Sequence, residues 1–376
     1  MISTELASVC NIEMGQAPAG SSYNSIGEGL PLLAGAGDFG VDFPAASKFT
    51  SSPTKVSAPN DIIMCIRATI GDLNWSDRQY CLGRGVAGLR PKPKSLDRNY
   101  LWHWLSYARA DLEKKARGST FKQVSKRDVA ELEIPLPNTL DEQRRIAAIL
   151  DKADAIRRKR EQVLTLADDF LRSVFLEMFD DPENNSMNWT RRKFEAIAEI
   201  DTRMVKPTQT PFIDMPHVGP EIIVSKTGKI LQPKTAREEG LVSGKYLFDD
   251  CHILYTKIRP LLQKVAMPTF AGLCSADVYP IKPIKGVSTK EFLWAVLISD
   301  AFVAYFHRLP DRANIPKMNM KELNAYECIY PPFALQEEFS KIVRNVRQTI
   351  LKLEVAYEQS SNLFASLSQR AFAGEL

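Results

Sequence analysis

The sequence is poor in the residues that staple small proteins or hold metals. Its six cysteines, at positions 10, 65, 81, 251, 274 and 328, form no CxxC pair, and its four histidines are scattered. This argues against a zinc site or a disulfide framework and makes a reducing cytoplasm the expected setting. Long apolar runs are missing too. Stretches such as Leu30–Gly37 and Phe292–Ser299 end after eight residues, whereas a membrane-spanning helix needs about 20. The opening residues, MISTELASVCNIEM, have neither the basic nor the apolar segment of a secretory signal, so no signal peptide and no membrane association are expected. No HExxH, GxSxG, P-loop or paired His/Cys constellation occurs. The chain is therefore not expected to be an enzyme by itself, and no catalytic residue or metal ligand is assigned. The net charge is only +4, from 49 basic and 45 acidic residues, which excludes a histone-like polycation but allows a local basic patch.

What is present is a globular composition, 44% hydrophobic and 25% charged over 376 residues, enough for two or three domains. The chain also repeats itself. Arg67 in DIIMCIRATIG returns as Arg259 in HILYTKIRPLL, and VSKRDVAELEI (124–134) returns as MNMKELNAYEC (318–328). Cys81, Gln143, Ser173 and Phe179 return as Cys274, Gln336, Ser366 and Phe372, all 193 residues later. A near-constant offset with small slips implies duplication of one unit of roughly 190 residues. Charge follows the same division: residues 1–193 carry 27 basic and 25 acidic residues, and 194–376 carry 22 and 20. Two copies are too few for a solenoid and suit a pseudo-two-fold molecule.

Each half reads as a mixed globular part closed by a long helix. Strands are expected at 61–70, 86–91 and 132–137, and again at 252–258 and 276–283, from β-branched residues bounded by turn residues. Helices are expected at 98–116 and 290–309. The closing helices are expected at 140–179 and 335–372. The apolar stripe of the first runs through Ile146, Ile149 or Leu150, Ala153, Ile156, Leu164, Ala167, Leu171, Val174 and Met178. That of the second runs through Phe339, Val343, Val346, Ile350, Leu353, Ala356, Leu363 and Leu367. Spacings alternating near 3 and 4 are those of a coiled-coil seam. A helix of about 38 residues is roughly 57 Å long, too long for one small domain to cover, so the two helices are expected to bury each other antiparallel. The fold class is thus α+β. Residues 1–138 and 181–333 form two mixed α/β domains, separated by two long antiparallel coiled-coil helices at 139–180 and 334–376, with a pseudo-two-fold internal repeat.

Several local motifs read as structural. Gly35–Gly40 spells GxGxxG, but Pro44 and Pro53 follow where a helix should open, so it reads as a turn-rich loop. Tyr330-Pro331-Pro332-Phe333 is like the Pro-Pro motif of adenine-N6 methyltransferases, but its polar first residue is replaced by Tyr. It reads as a joint between strand and helix. His103 reads as a packed helix residue. Arg157–Arg160 point around a full helical turn, which favours a solvated face over a phosphate-binding stripe. Basic residues that recur in both globular parts are more suggestive. The loop Arg117-Gly118-Ser119-Thr120-Phe121-Lys122-Gln123 has a counterpart in Arg312-Ala313-Asn314-Ile315-Pro316-Lys317, with Arg67, Arg84, Lys257 and Arg259 nearby. Small polar residues with Lys, Arg and Gln suit contacts with phosphates and base edges. Arg67 and Arg259 are also candidates for structural pairing with Asp72 or Asp277.

The segments IPLPNTLDEQRRIAAILDKADAIRRKREQ and DDFLRSVFLEMFD resemble the central region of specificity subunits of type I restriction–modification systems, and LQEEFSKIV and NLFASLSQRAFAGEL resemble their C-terminal region. The globular parts are similar to their target recognition domains. The resemblance implies a chain that reads a split sequence in double-stranded DNA, one half per domain, with the helices as a ruler for the spacer. It implies two methyltransferase (modification) subunits as partners, methylating adenine at N6 with S-adenosylmethionine, and restriction subunits that use ATP. Neither cofactor is expected on this chain. The DNA-contacting positions expected are Gly118, Ser119, Thr120, Lys122, Gln123 and Arg84 in the first domain, and Arg312, Asn314, Lys317 and Lys257 in the second. A partner of type IIB kind, which both cuts and methylates, and a coiled-coil adaptor without base readout remain open alternatives.

Overall fold

The computed structural model describes residues 1–118, 122–310 and 316–376. The chain forms two compact units, residues 1–161 with 356–376, and residues 162–355. Each unit is mixed α/β.

The first unit is built on a four-stranded antiparallel sheet. Its order is Cys10–Met14, Val86–Pro91, Ile62–Cys65, Leu73–Trp75. All four residues of Ile62–Cys65 are fully buried, as expected of a central strand covered on both faces. One face carries the helix Arg98–Lys114, which the Asp97 carboxylate caps by accepting from the Asn99 and Tyr100 amides. The other face meets a set of short strands, Tyr23–Asn24, Phe49–Thr50, Leu30–Leu33 and Cys81–Leu82. A two-stranded ribbon pairs Ile2–Glu5 with Glu133–Leu136.

The second unit has the corresponding main sheet, in the order Ala198–Ile200, Val278–Pro283, Ile253–Thr256, Val265–Ala266. Arg191–Lys193 pairs with Glu327–Ile329 as its ribbon. The short-strand layer differs. Both units keep a parallel pair, Leu32–Leu33 with Cys81–Leu82 and His217–Val218 with Leu273–Cys274. In the first unit, however, Phe49–Thr50 adds onto Leu30–Pro31, whereas in the second Lys245–Phe248 adds onto Gly272–Cys274. The main sheets therefore agree and the outer layers diverge.

The long helices run Leu140–Phe179 and Phe333–Ala373. Asp141 and Glu142 sit in the first turn of the former, where the helix dipole favours acid. It stops at Asp180, which adopts a left-handed φ of 67° and binds Ser186 through its carboxylate. The second begins just after Pro331-Pro332, residues that disfavour a helix before them and suit its first turn. Each helix is shared between the units. In the first unit Ile146, Ala147 and Leu150 join a core with Ala371 and Phe372. In the second, Leu171, Val174, Phe175 and Phe179 join one with Phe339 and Val343.

Some expectations change. The helix expected at 290–309 is two helices, Lys290–Leu297 and Asp300–His307, because Ser299 caps the second through its hydroxyl, which accepts from the Phe302 amide. Ile156 and Leu363, assigned to the apolar stripes, are 50% and 55% exposed. Phe364 packs inward in place of Leu363.

Candidate nucleic-acid interface

In both units the end of the central strand passes into a tight turn and is met there by the loop that precedes a short capped helix. In the first unit the Ile66 amide donates to Gly85 O at 2.9 Å, Ala68 to Lys122 O at 3.2 Å, and Val124 to Ile66 O at 3.0 Å. In the second, Lys257 donates to Asp277 O at 3.0 Å, Arg259 to Pro316 O at 2.8 Å, and Met318 to Lys257 O at 2.8 Å. Ala68 and Arg259 both adopt left-handed backbone, with φ 56° and 49°. The loops are closed by Arg67 facing Gln123 and by Ile258 facing Lys317. The hydrogen bonds therefore match Ala68 with Arg259, and Arg67 with Ile258, one residue away from the match suggested by the letters.

The helices after the loops explain why these sequence segments are alike. Ser125 accepts from the Asp128 amide while the Asp128 carboxylate accepts from the Ser125 amide and hydroxyl. Asn319 and Glu322 repeat the arrangement at 2.9 and 3.0 Å. These are capping boxes. The hydrogen bonds from Ser125 hold the Asp128 carboxyl below its ordinary range.

Arg84 stands exposed on a turn between two glycines. A Cβ on Gly85 would lie 1.9 Å from Ala34 O, and one on Gly83 2.6 Å from Leu33 O. Only bare backbone allows this approach, and it fixes the turn that presents Arg84. Gly118, at φ 115°, Lys122 and Gln123 are exposed on the facing loop, whose ends are tied by reciprocal 2.9 Å bonds between Arg117 and Gln123. Arg84, Arg67, Lys122 and Gln123 are thus brought to one end of the central strand. In the second unit Lys257 and the exposed Lys317 gather around Asp277, at 3.6 and 4.0 Å. Lys257 also lies over the Tyr279 ring, 5.3 Å from its centroid. Ser119, Thr120, Arg312 and Asn314 lie outside the described residues.

The structural pairing considered for Arg67 and Arg259 is not found. Asp72 is engaged by Arg109, and Asp277 by the two lysines. Arg259 is exposed and makes no ion pair among the described residues. Arg157 and Arg158 bind Asp154 at 2.7 Å, and Arg158 also reaches Asp42 at 2.8 Å, so much of that basic run is neutralised inside its own unit. His103 is buried and meets Asp151 at 2.8 Å. At Gly35–Gly40 the Asp38 carboxylate accepts from the Ala34 and Gly35 amides, which fills the place a phosphate would need. Asp249, Asp250 and Cys251 form an acidic turn in which the half-buried Asp249 carboxylate accepts from the Cys251 amide and meets His252. No helix among the described residues is long and apolar enough to cross a membrane.

Comparison with known proteins gives this geometry its class. Residues 3–166 match the type I restriction modification DNA specificity domain. The EcoDI specificity subunit of a type I restriction enzyme from Escherichia coli is 30% identical over 318 residues, covering 73% of this chain and 69% of that protein. The MjaX specificity subunit of Methanocaldococcus jannaschii, assigned to a type I restriction enzyme, is 38% identical over 156 residues; this match spans 40% of the chain and only 36% of that relative. The S subunit of a type I restriction–modification system from M. genitalium shares the fold, with a TM-score of 0.57 at 16% identity over 99% of this chain and 96% of that one. The chain belongs to the family of type I restriction enzyme specificity subunits.

Proposed function

We propose that this chain reads a two-part sequence in double-stranded DNA and directs partner subunits to methylate adenine at N6 there, and to restrict DNA that lacks the mark. One observation carries the reading. Two units with different outer layers present the same hydrogen-bonded turn and loop, each edged among the described residues with basic side chains. Duplicating the frame while varying the surface is what recognition of two different half-sites requires. Gly118, Arg84, Lys122 and Gln123 face one half-site and Lys257 and Lys317 the other, and Ser119, Thr120, Arg312 and Asn314 are proposed as further contacts on the strength of their residue types. Lysines and arginines here hold phosphates, and Gln123 suits an adenine edge.

The long helices act as an antiparallel coiled-coil spacer. In each unit the beginning of one meets the end of the other. At 40 and 41 residues they are roughly 60 Å long at the standard rise, a length that suits half-sites about one DNA turn, roughly 35 Å, apart. Val163, Leu166 and Phe170 leave an exposed apolar stripe on the first helix within the second unit, a surface suited to a modification subunit. S-adenosylmethionine and ATP are brought by the partners, two modification subunits and the restriction subunits, in the cytoplasm.

Methylome sequencing with and without the gene, in a strain carrying the partner subunits, tests the reading. A bipartite N6-methyladenine motif should vanish with the gene; persistence of every such motif refutes it.

A further inference from the structure

The matched turns differ at their tips. In the first unit Ala68–Gly71 folds Ile70 inward, where it is 2% exposed, and a Cβ on Gly71 would lie 2.7 Å from Arg109 Cγ. In the second, one residue is added and Leu261 and Leu262 both point outward, each 43% exposed. Each turn buries one apolar residue, Ile70 in the first unit and Pro260 in the second, so the two adjacent leucines are surplus to the core and need another reason.

The tip is also held firmly. Arg259 and Gln263, on either side, both take left-handed backbone, at φ 49° and 47°, a conformation that costs non-glycine residues energy unless their surroundings enforce it. The surroundings here are specific. Gln263 is 4% exposed and donates through Nε2 to Ile298 O at 2.7 Å, and its own carbonyl accepts from the Lys226 amide at 3.0 Å. The Arg259 amide is bound to Pro316, in the proposed DNA-facing loop. The leucines are thus fixed next to Arg259 and the Lys317 side of that loop, cationic groups that hold phosphates.

We propose that Leu261 and Leu262 determine specificity at the second half-site by making an apolar contact with a thymine methyl in the major groove. Of the groups displayed there, the C5 methyl of thymine is the one an aliphatic side chain can select. The inference rests on the chain being a DNA reader, and gives the second unit a means of recognition that its counterpart, with Ile70 buried, does not have.

The test uses the chain assembled with its modification subunit on duplexes randomised at each motif position, reading methylation. L261S/L262S should relax the base preference at one or two positions of a single half-site, by about four-fold for each thymine methyl left uncovered, the value of one buried methyl group. Arg84→Ala marks the opposite half-site. Independently of how the variant folds, replacing thymine with deoxyuridine at the relaxed position should slow the wild-type complex by a similar factor. An unchanged preference in L261S/L262S, relaxation in the half-site marked by Arg84, or equal rates on thymine and uracil throughout the second half-site would each overturn the proposal. A wild-type complex that methylates with no sequence preference would instead defeat the underlying reading of the chain as a DNA reader.

Discussion

Gln143 and Gln336 lie 193 residues apart, and both lock the start of a long helix to the helix that covers its sheet. Gln336 is fully buried. Its Oε1 accepts from the Thr289 amide at 3.2 Å, and its Nε2 donates to Pro331 O at 3.0 Å and Val287 O at 3.4 Å. Gln143 does the same work for the Asp97 amide at 2.8 Å and Ser95 O at 3.1 Å. Thr289 and Asp97 are the N-caps of the covering helices. Replacing Gln336 with leucine keeps the volume but strands the buried Pro331 carbonyl and the half-buried Thr289 amide and Val287 carbonyl. A stranded buried donor or acceptor costs about 1–3 kcal/mol, and the 3.4 Å bond is weak, so about 2–4 kcal/mol of destabilisation is expected. Gln143→Leu breaks two shorter bonds and should cost about 2–3 kcal/mol by the same reasoning. The pairs share no partner, so the double variant should be close to additive. Urea titration followed by tryptophan fluorescence measures this, with separate transitions fitted if the units unfold apart. Losses below about 0.5 kcal/mol for both single variants would refute the claim that these amides tie helix to domain.

Phe179→Ala should cost about 3–5 kcal/mol, since Phe179 is fully buried with Phe292 at 5.2 Å and Phe339 at 5.3 Å; thermal unfolding checks it. Gly228→Ala should destabilise by about 1–2 kcal/mol, because φ is +71° and the new Cβ would meet Arg347 Nη2 at 2.2 Å and Trp294 Nε1 at 2.8 Å; urea midpoints report it. Ser125→Ala should lose about 1 kcal/mol by removing a capping-box hydroxyl, again read from urea midpoints. Lys122→Ala and Lys317→Ala should each weaken DNA binding by the assembled complex and lower its salt slope by about one; salt titrations of binding measure this.

Much of the frame is legible in the sequence because it is built from residues that hydrogen bonding constrains. Gln143 and Gln336 recur because each satisfies an N-cap and a turn carbonyl in its unit. Ser125-x-x-Asp128 and Asn319-x-x-Glu322 recur because a helix start needs that exchange. The first long helix is bounded as expected: the Thr139 hydroxyl accepts from the Glu142 amide at 3.2 Å at its start, and the Asp180-Asp181-Pro182 run ends it. What the letters hide depends on the third dimension or on one weak signal. Ser299-Asp300 is an N-cap signal set in an apolar stretch, and it divides the expected helix. The strands of the outer layer are two to four residues long, too short to show a period. The letters match Arg67 to Arg259, whereas the left-handed turn that sets the register carries Ala68 in one unit and Arg259 in the other. The residues proposed to face DNA follow from composition and repetition. Packing then distinguishes Arg84 and Lys122, which stand exposed on a turn and a loop, from Arg157 and Arg158, which are bound to Asp154.

The division of the chain has a consequence for its synthesis. The second unit is one continuous stretch, 162–355, whereas the first is completed by 356–376. Ala371 and Phe372 belong to the core that holds Tyr100 and Leu150. As the chain grows from its N-terminus, the first unit therefore waits for residues that follow the whole second unit. The second unit has all its residues in hand earlier, and the first carries an uncovered apolar face until its final helical turns are added.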